Sequence, residues 1–161
     1  MKLKFFIFAL LLFLSSFLQA GSILKDWSDG YAVTYLIDND RWDYVVVDID
    51  YSSKGFKMLV FRLVPSDTNQ ACQLNYSSSN TDITFIVDGQ AIRGGVQCKR
   101  FTNSGNTFYD IWAYSNNGAN YIVNRFRRSP DKVSISTRLL DFDVSAIGFT
   151  AEWNRTGGNA L

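Results

Sequence analysis

Apolar and polar residues alternate along most of the chain after residue 20, which is the pattern of β-strands that bury one face. In the run over residues 43–51, for example, Val45 and Val47 share one face while Asp48 lies on the other. Asp88-Gly89 gives the strongest hairpin signal, because both residues tolerate positive φ. The predicted strands cover residues 31–37, 43–51, 56–64, 70–76, 82–87, 90–93, 96–101 (after a bend at Gly94-Gly95), 107–114, 133–139 and 141–144. The pattern therefore predicts a mainly β domain, an antiparallel β-sandwich or barrel.

Two segments in the C-terminal half change from the strand period to the helix period. The first covers residues 116–128, with Asn116 or Asn117 as its predicted cap. Ser145 is the predicted cap of a second, shorter helix. The apolar residues of the two helices are Ala119, Ile122, Val123 and Phe126, followed by Phe149 and Trp153. We therefore expect two short helices that pack against the sheet.

The first twenty residues have the order of a secretory signal peptide. A basic start with Lys2 and Lys4 precedes an apolar run over residues 5–17, and Ala20 ends the segment. The run is too short for a stable membrane-spanning helix, so no stable membrane anchor is expected. We predict that residues 1–20 are removed after Ala20. The mature β-rich domain would then cover residues 21–161, in the periplasm or outside the cell.

The charge balance of the mature chain is nearly neutral. Loss of Lys2 and Lys4 lowers the count of basic residues from 16 to 14, against 15 acidic residues. Such a protein has no long-range field that gathers nucleic acid or anionic lipid. Nucleic acid is therefore not an expected partner.

The two cysteines of the chain are Cys72 and Cys98. An even number of cysteines in an exported protein indicates a disulfide. Closure of the loop between them would stabilise the fold by about 3–4 kcal/mol in the chain-entropy model. One structural disulfide is therefore predicted.

The residues that standard catalytic and metal sites require are missing. Histidine is absent, which excludes Ser-His-Asp and Cys-His triads and every His-ligated metal site. The chain also lacks a G-x-S-x-G elbow, a phosphate loop and a dinucleotide fingerprint. A run of aspartates lacks the glycine and the closing glutamate of a calcium loop, so a solvated turn and strand face is expected there. Its members are Asp38, Asp40, Asp43, Asp48 and Asp50. We therefore predict no enzyme activity, no cofactor and no metal site.

Four side chains are the candidates for contact with a partner. Trp42 lies in a polar turn, so it is the predicted exposed aromatic anchor. Arg125, Arg127 and Arg128 lie near the end of the first predicted helix, and arginine is enriched at interface hot spots. The alternative for the arginines is that they only complement the helix dipole, with their head groups in water.

The last predicted strand and helix contain a short segment with a family resemblance. Ser145, Gly148 and Phe149 match a Ser-x-x-Gly-Phe-x-x-Ala-like pattern, although Ala151 comes one residue early. This ending resembles that of the invasion-associated locus B family, over about 20 of the 161 residues. The family consists of small exported bacterial β-sandwich proteins. The resemblance therefore implies an envelope protein, and no active site transfers with it.

Size, export, a rigid β scaffold and the missing catalytic groups together favour a non-catalytic exported bacterial binding protein. We expect a periplasmic inhibitor or immunity protein whose partner is another protein, a cell-wall hydrolase or an envelope-directed toxin. The alternatives are a secreted or surface factor that interacts with a host, and an envelope hydrolase that uses paired aspartates. Self-association through an exposed strand edge also stays open.

Overall fold

Nine antiparallel strands and two helices form the part of the chain described in the computed structural model, which covers residues 21–37, 39–67, 80–104 and 106–156. The strands are β1 (Ser22–Ser28), β2 (Tyr31–Leu36), β3 (Trp42–Tyr51), β4 (Lys57–Pro65), β5 (Thr81–Val87), β6 (Gln90–Arg100), β7 (Thr107–Ala113), β8 (Lys132–Ser136) and β9 (Asp141–Ser145). The helices are α1 (Asn116–Arg128) and α2 (Phe149–Thr156). The prediction of a mainly β, antiparallel domain with two short helices is confirmed.

All nine strands belong to one sheet, in the order β1-β2-β3-β4-β7-β6-β5-β8-β9. The two ends of this sheet meet along a seam. The Trp27 amide donates to the carbonyl of Ile147 at 3.1 Å, and Thr34 Oγ1 donates to the carbonyl of Asp143 at 2.6 Å. Ser145 Oγ donates to the carboxylate of Asp26 at 2.6 Å. The sheet therefore curls into a nearly closed barrel, which leaves little exposed strand edge along the seam.

Alternation along the strands separates the barrel interior from its outer face. On β3, Val45 and Val47 are fully buried while Asp48 lies on the outer face, as the sequence pattern predicts. The Asp88-Gly89 hairpin between β5 and β6 is also confirmed, with φ of 44° and 84°. The largest fully buried side chains of the strands are Tyr109, Phe61, Phe85, Leu63, Ile111 and Ile135. Each such side chain contributes roughly 1.5–3 kcal/mol through removal of apolar surface from water.

Both helices lie at one end of the barrel, across the turns that join β1 to β2, β3 to β4 and β5 to β6. The Arg125 side chain of α1 bonds to Asp88 in the β5–β6 turn. In α2, the Glu152 carboxylate accepts a hydrogen bond from the Gly30 amide of the β1–β2 turn. No helix in the described ranges is long and apolar enough to cross a membrane.

An aromatic cluster holds the two helices against the barrel. Trp27, near the end of β1, packs edge-on against Phe126 of α1 and Phe149 of α2, with ring centroids 5.7 Å and 4.9 Å apart. The rings of Phe126 and Phe149 are 5.1 Å apart, and Trp153 lies 5.6 Å from Phe149. Phe149 and Trp153, the two apolar residues predicted for the second helix, therefore lie one turn apart and pack together.

The positions of the helix caps differ from the prediction. The helix over residues 116–128 is confirmed, but Ser115 caps it rather than either predicted asparagine, because Ser115 Oγ accepts a hydrogen bond from the Gly118 amide at 3.1 Å. The prediction that Ser145 caps the second helix is wrong. Helix α2 begins at Phe149, and Ser145 is the last residue of β9. The Ser145 hydroxyl donates instead to Asp26 across the barrel seam.

The predicted bend at Gly94-Gly95 is also wrong, since β6 runs unbroken through both residues. A Cβ on Gly94 would overlap the carbonyl oxygen of Trp112 on β7. A Cβ on Gly95 would lie 2.7 Å from the rings of Trp112 and Tyr114. Both glycines are therefore explained by the close approach of a neighbouring strand and its side chains rather than by a turn.

Some predictions lie outside the described residues. They are the signal peptide over residues 1–20, Asp38, the strand over residues 70–76, and Cys72. Cys98 lies buried on β6, and no disulfide joins two of the described residues. The Cys72–Cys98 bridge therefore stays a prediction.

Candidate functional site

The prediction that Trp42 is an exposed aromatic anchor is wrong, because only 2% of this residue is exposed. The Asn39 side-chain oxygen accepts hydrogen bonds from the amides of Arg41 and Trp42, at 3.0 Å and 2.9 Å. The Trp42 ring packs in the core, with its centroid 6.0 Å from that of Tyr109. The polar residues before Trp42 thus form the turn that delivers its ring to the core.

The three predicted arginines of α1 do not form one free patch. Arg125 Nε and NH2 lie 2.8 Å and 2.7 Å from one carboxylate oxygen of Asp88, so this arginine joins α1 to the β5–β6 turn. Arg127 and Arg128 are exposed, and neither has an ion-pair partner among the described residues. The structure therefore leaves two of the three arginines available to a partner.

A lysine and a tryptophan meet beside Arg127. The Lys57 ammonium of β4 donates to the carbonyl of Trp153 in α2 and lies 4.4 Å from the centroid of the Trp153 ring. Burial, and then the charge of Arg127, lower the pKa of Lys57 below its ordinary value. Because the Trp153 carbonyl belongs to the last turn of α2, Lys57 stabilises the negative end of that helix.

A network of four charged side chains crosses the outer face of β3, β4, β7 and β6. Arg62 pairs with Asp48 at 2.9 Å and with Asp110 at 3.0 Å, and Lys99 pairs with Asp110 at 2.8 Å. Only 2% of the Asp110 side chain is exposed. Burial raises the pKa of the Asp48 carboxyl, against the opposing attraction of Arg62. In this Asp110 network the cations hold both carboxylates, which suits a structural role rather than proton transfer.

Of the five aspartates in the predicted run, three are exposed to solvent, one belongs to the Asp110 network and one lies outside the described residues. Asp40, Asp43 and Asp50 are exposed, as expected for a solvated turn and strand face, whereas Asp38 lies outside the described residues. Asp48 belongs to the Asp110 network and is therefore not simply solvated. Within the described ranges, no three or more Asp, Glu, His and Cys side chains group as metal ligands would.

A tyrosine-rich surface covers the outer face of β1, β2 and β3, and we name it the tyrosine face. Its residues are Ile23, Lys25, Tyr31, Val33, Tyr35, Tyr44 and Val46. Strand pairing aligns Ile23, Tyr35 and Tyr44 in one row. The rings of Tyr35 and Tyr44 are 6.0 Å apart, and the Lys25 ammonium lies 5.2 Å from the Tyr35 ring centroid. The sequence pattern places Tyr31, Val33 and Tyr35 on one face, but only the structure shows that this face is outward.

A groove lies on the outer face of β4, β7 and β6, with a volume of about 850 Å³. Its floor is formed by Met58, Val60 and Trp112, and Tyr114 extends it. One wall is the β3–β4 turn, and the other is the start of α1. Composition alone does not reveal this groove, because its residues come from separate parts of the chain.

Tyr114 is held at the end of the groove floor. Its hydroxyl donates to Asp82 at 3.0 Å, and Asp82 pairs with Arg93 at 2.7 Å. Burial, and then the hydrogen bond to Asp82, raise the pKa of the Tyr114 phenol. The hydrogen bonds from Arg93 and Tyr114 lower the pKa of Asp82. The phenol therefore stays uncharged at neutral pH, while Asp82 stays ionised.

Comparisons with protein-family models, with curated proteins and with solved structures find no match. The resemblance of the C-terminal segment to the invasion-associated locus B family therefore stays a prediction. The two surfaces described above are the observations that bear on function.

Proposed function

We propose that the chain is a non-catalytic exported binding protein that holds another protein against its tyrosine face. The observation that carries this proposal is the composition of that face. Lys25 is the one charged residue among these seven, and the other six are tyrosine, isoleucine and valine, of which Val33 is buried. Asp48, which lies opposite Tyr31 in the register of β2 and β3, borders the face and is paired with Arg62. Protein interfaces are rich in tyrosine and poor in charged residues at their centre, whereas ordinary surface is rich in lysine and acidic residues.

The exposure of the tyrosine face supports the same proposal. Ile23, Tyr31 and Tyr35 are 55%, 41% and 38% exposed, so a partner would remove substantial apolar area from water. The strands beneath are paired on both sides in β2 and β3, which holds these side chains on a rigid support. A rigid tyrosine loses little conformational entropy when it binds, and tyrosines are frequent hot spots.

Within this class we propose an inhibitor or immunity protein that covers the working surface of an envelope-directed enzyme or toxin. The Asp110 network supports a role without catalysis, because its carboxylates are held by Arg62 and Lys99. Arg127 and Arg128 lie on another part of the surface, on α1, and would add only peripheral charge contacts. The alternative of a host-interaction factor predicts the protein in the medium rather than in the periplasm.

The export and disulfide parts of the proposal have one direct test. The purified protein should begin at Gly21, and its intact mass should be lower than that of the reduced form by two hydrogen atoms. The physical reason is that an oxidising compartment joins Cys72 to Cys98. Intact-mass spectrometry before and after reduction, with thiol alkylation, checks both statements. A free thiol that alkylates without reduction would contradict the bridge, and a mass that includes residues 1–20 would contradict the cleavage.

Removal of the two exposed tyrosines should abolish capture of the partner. We expect the double variant Tyr31→Ser/Tyr35→Ser to bind at least about 30-fold more weakly, since loss of even one hot-spot tyrosine costs about 2 kcal/mol or more. The measurement is affinity capture from envelope and supernatant fractions, followed by titration calorimetry with the purified partner. Stoichiometric inhibition of that partner's activity is the further expected result.

The control variants locate the surface. Tyr114→Ala removes a similarly exposed aromatic ring from the groove, and Arg127→Ala/Arg128→Ala removes the two arginines without an ion-pair partner among the described residues. Both should bind the partner nearly as the wild type does. If the arginine pair abolishes binding while the tyrosine pair does not, the tyrosine face is not the binding surface.

A further inference from the structure

The groove is a second surface, separate from the tyrosine face, and its aromatic floor is held in place by the sheet. Trp112 lies between Val60 of β4 and Gly95 of β6 in the strand register. Gly95 has no Cβ, so the rings of Trp112 and Tyr114 lie against the bare β6 backbone. The two ring centroids are 6.3 Å apart, in an edge-to-face arrangement. Two aromatic side chains are thus fixed before any ligand arrives.

Neutral polar groups surround this aromatic floor. The amides of Asn80, Asn116 and Asn120 are exposed along the groove, together with serine hydroxyls of the β3–β4 turn. Side-chain amides and hydroxyls offer both donors and acceptors. They therefore match a ligand that itself carries many neutral groups of both kinds.

The charges of the groove largely cancel. Lys99 and Asp110 pair with each other, and Lys57 is engaged with the end of α2. Asp50 and Lys54, both exposed on the β3–β4 side, carry opposite charges. This balance argues against a polyanion as the occupant, because a polyanion needs an excess of cations.

The strand arrangement argues against an extended peptide. Each of the floor strands β4, β7 and β6 has a hydrogen-bonded neighbour on both sides. No backbone edge is therefore available in the floor for a peptide to join as an additional strand. A lipid chain fits no better, since it would leave the surrounding amides without partners.

We propose that this groove binds a short neutral oligosaccharide, stacked on Trp112 and Tyr114 and hydrogen-bonded by the surrounding amides. The C–H groups on one face of a sugar ring carry slight positive charge, and the π-face of an aromatic ring is negative. Sugar hydroxyls both donate and accept, as the amides of Asn80, Asn116 and Asn120 require. This site is independent of the protein partner proposed for the tyrosine face.

The test is calorimetric titration of the protein, purified after expression of the full chain, with chitotetraose, cellotetraose and maltotetraose. We expect at least one of these sugars to bind. We also expect Trp112→Ala and Tyr114→Ala each to raise its Kd by about tenfold or more. Because Trp112 is half-buried, circular dichroism and the melting temperature of each variant must first show an intact fold. Asn120→Ala, on the exposed face of α1, gives a milder second test and should raise the Kd about threefold.

The double variant Tyr31→Ser/Tyr35→Ser is the matched control, since it removes exposed rings from the tyrosine face and should leave sugar binding unchanged. Failure of all three sugars to bind would overturn the proposal. Sugar binding that is unaffected by Tyr114→Ala and Asn120→Ala would also overturn it. The same holds if the groove binds heparin or an unstructured peptide instead of the neutral sugars.

Discussion

Replacement of Asp110 by asparagine is expected to lower the free energy of unfolding by about 2 kcal/mol. Asp110 is the buried centre of its network, where it accepts from Arg62 at 3.0 Å and pairs with Lys99 at 2.8 Å. An asparagine fits the same space but carries no negative charge, so Lys99 loses its ion pair with Asp110 and Arg62 keeps only Asp48. The loss is larger at Arg62, whose side chain is 26% exposed, than at Lys99, whose side chain is 45% exposed and therefore regains water more readily. Urea unfolding of the two proteins at neutral pH measures the difference.

The matched control is Asp82→Asn, which removes the charge of an exposed pair with Arg93. Its side chain is surrounded by water, so the unfolding midpoint should change little. If Asp110→Asn and Asp82→Asn shift the midpoint equally, the buried network does not stabilise the barrel as described. A tolerated Asp110→Asn would also reopen a functional role for this carboxylate.

Trp27→Ala is expected to cost about 3–5 kcal/mol, because the ring fills the junction between the barrel seam and both helices. Its Nε1 donates to the Ser145 carbonyl at 2.7 Å, and its ring packs on Phe126 and Phe149. Loss of the ring therefore opens a cavity and leaves a buried carbonyl without its partner. The measurement is the unfolding free energy together with the helical signal in circular dichroism. Retention of wild-type stability would contradict the role assigned to the seam.

Two tryptophan-to-phenylalanine variants separate the hydrogen bond from the packing. Trp27 and Trp42 are both buried, but Trp42 Nε1 has no hydrogen-bond partner among the described residues. Both substitutions shrink the ring, and only Trp27→Phe also leaves a buried carbonyl, that of Ser145, unpaired. Trp27→Phe should therefore cost about 1–3 kcal/mol more than Trp42→Phe. Equal costs would show that the Trp27–Ser145 hydrogen bond adds nothing.

The local elements of this fold could be predicted because their causes lie within short stretches of chain. The alternation around Val45 and Val47 predicts β3, and the helical spacing of four apolar residues predicts α1, although not the residue that caps it. The predicted bend at Gly94-Gly95 is wrong because the cause of these two glycines lies on a different strand. Both glycines leave room for Trp112 of β7, and the sequence of β6 alone does not indicate that contact.

The candidate site was less predictable, because exposure depends on which face of a strand meets the core. Trp42 has polar neighbours in sequence, and those neighbours form the turn that buries it. Tyr31 and Tyr35 share a strand face, which the alternation does indicate. Only the structure shows that this face is outward. Thr34 lies on the opposite face of β2 and donates to the carbonyl of Asp143 across the barrel seam.

The amino-acid sequence by itself determined the mainly β class, most strand positions, the helix over residues 116–128 and the Asp88-Gly89 hairpin. These features depend on the period of apolar residues and on backbone preferences, both of which are properties of neighbouring residues. Only the tertiary structure decided the closure of the barrel, the Asp110 network, the tyrosine face and the groove. Each of these joins residues that are distant in the chain. Their contacts follow from a strand order that places β7 beside β4 and leaves β5 two strands further away.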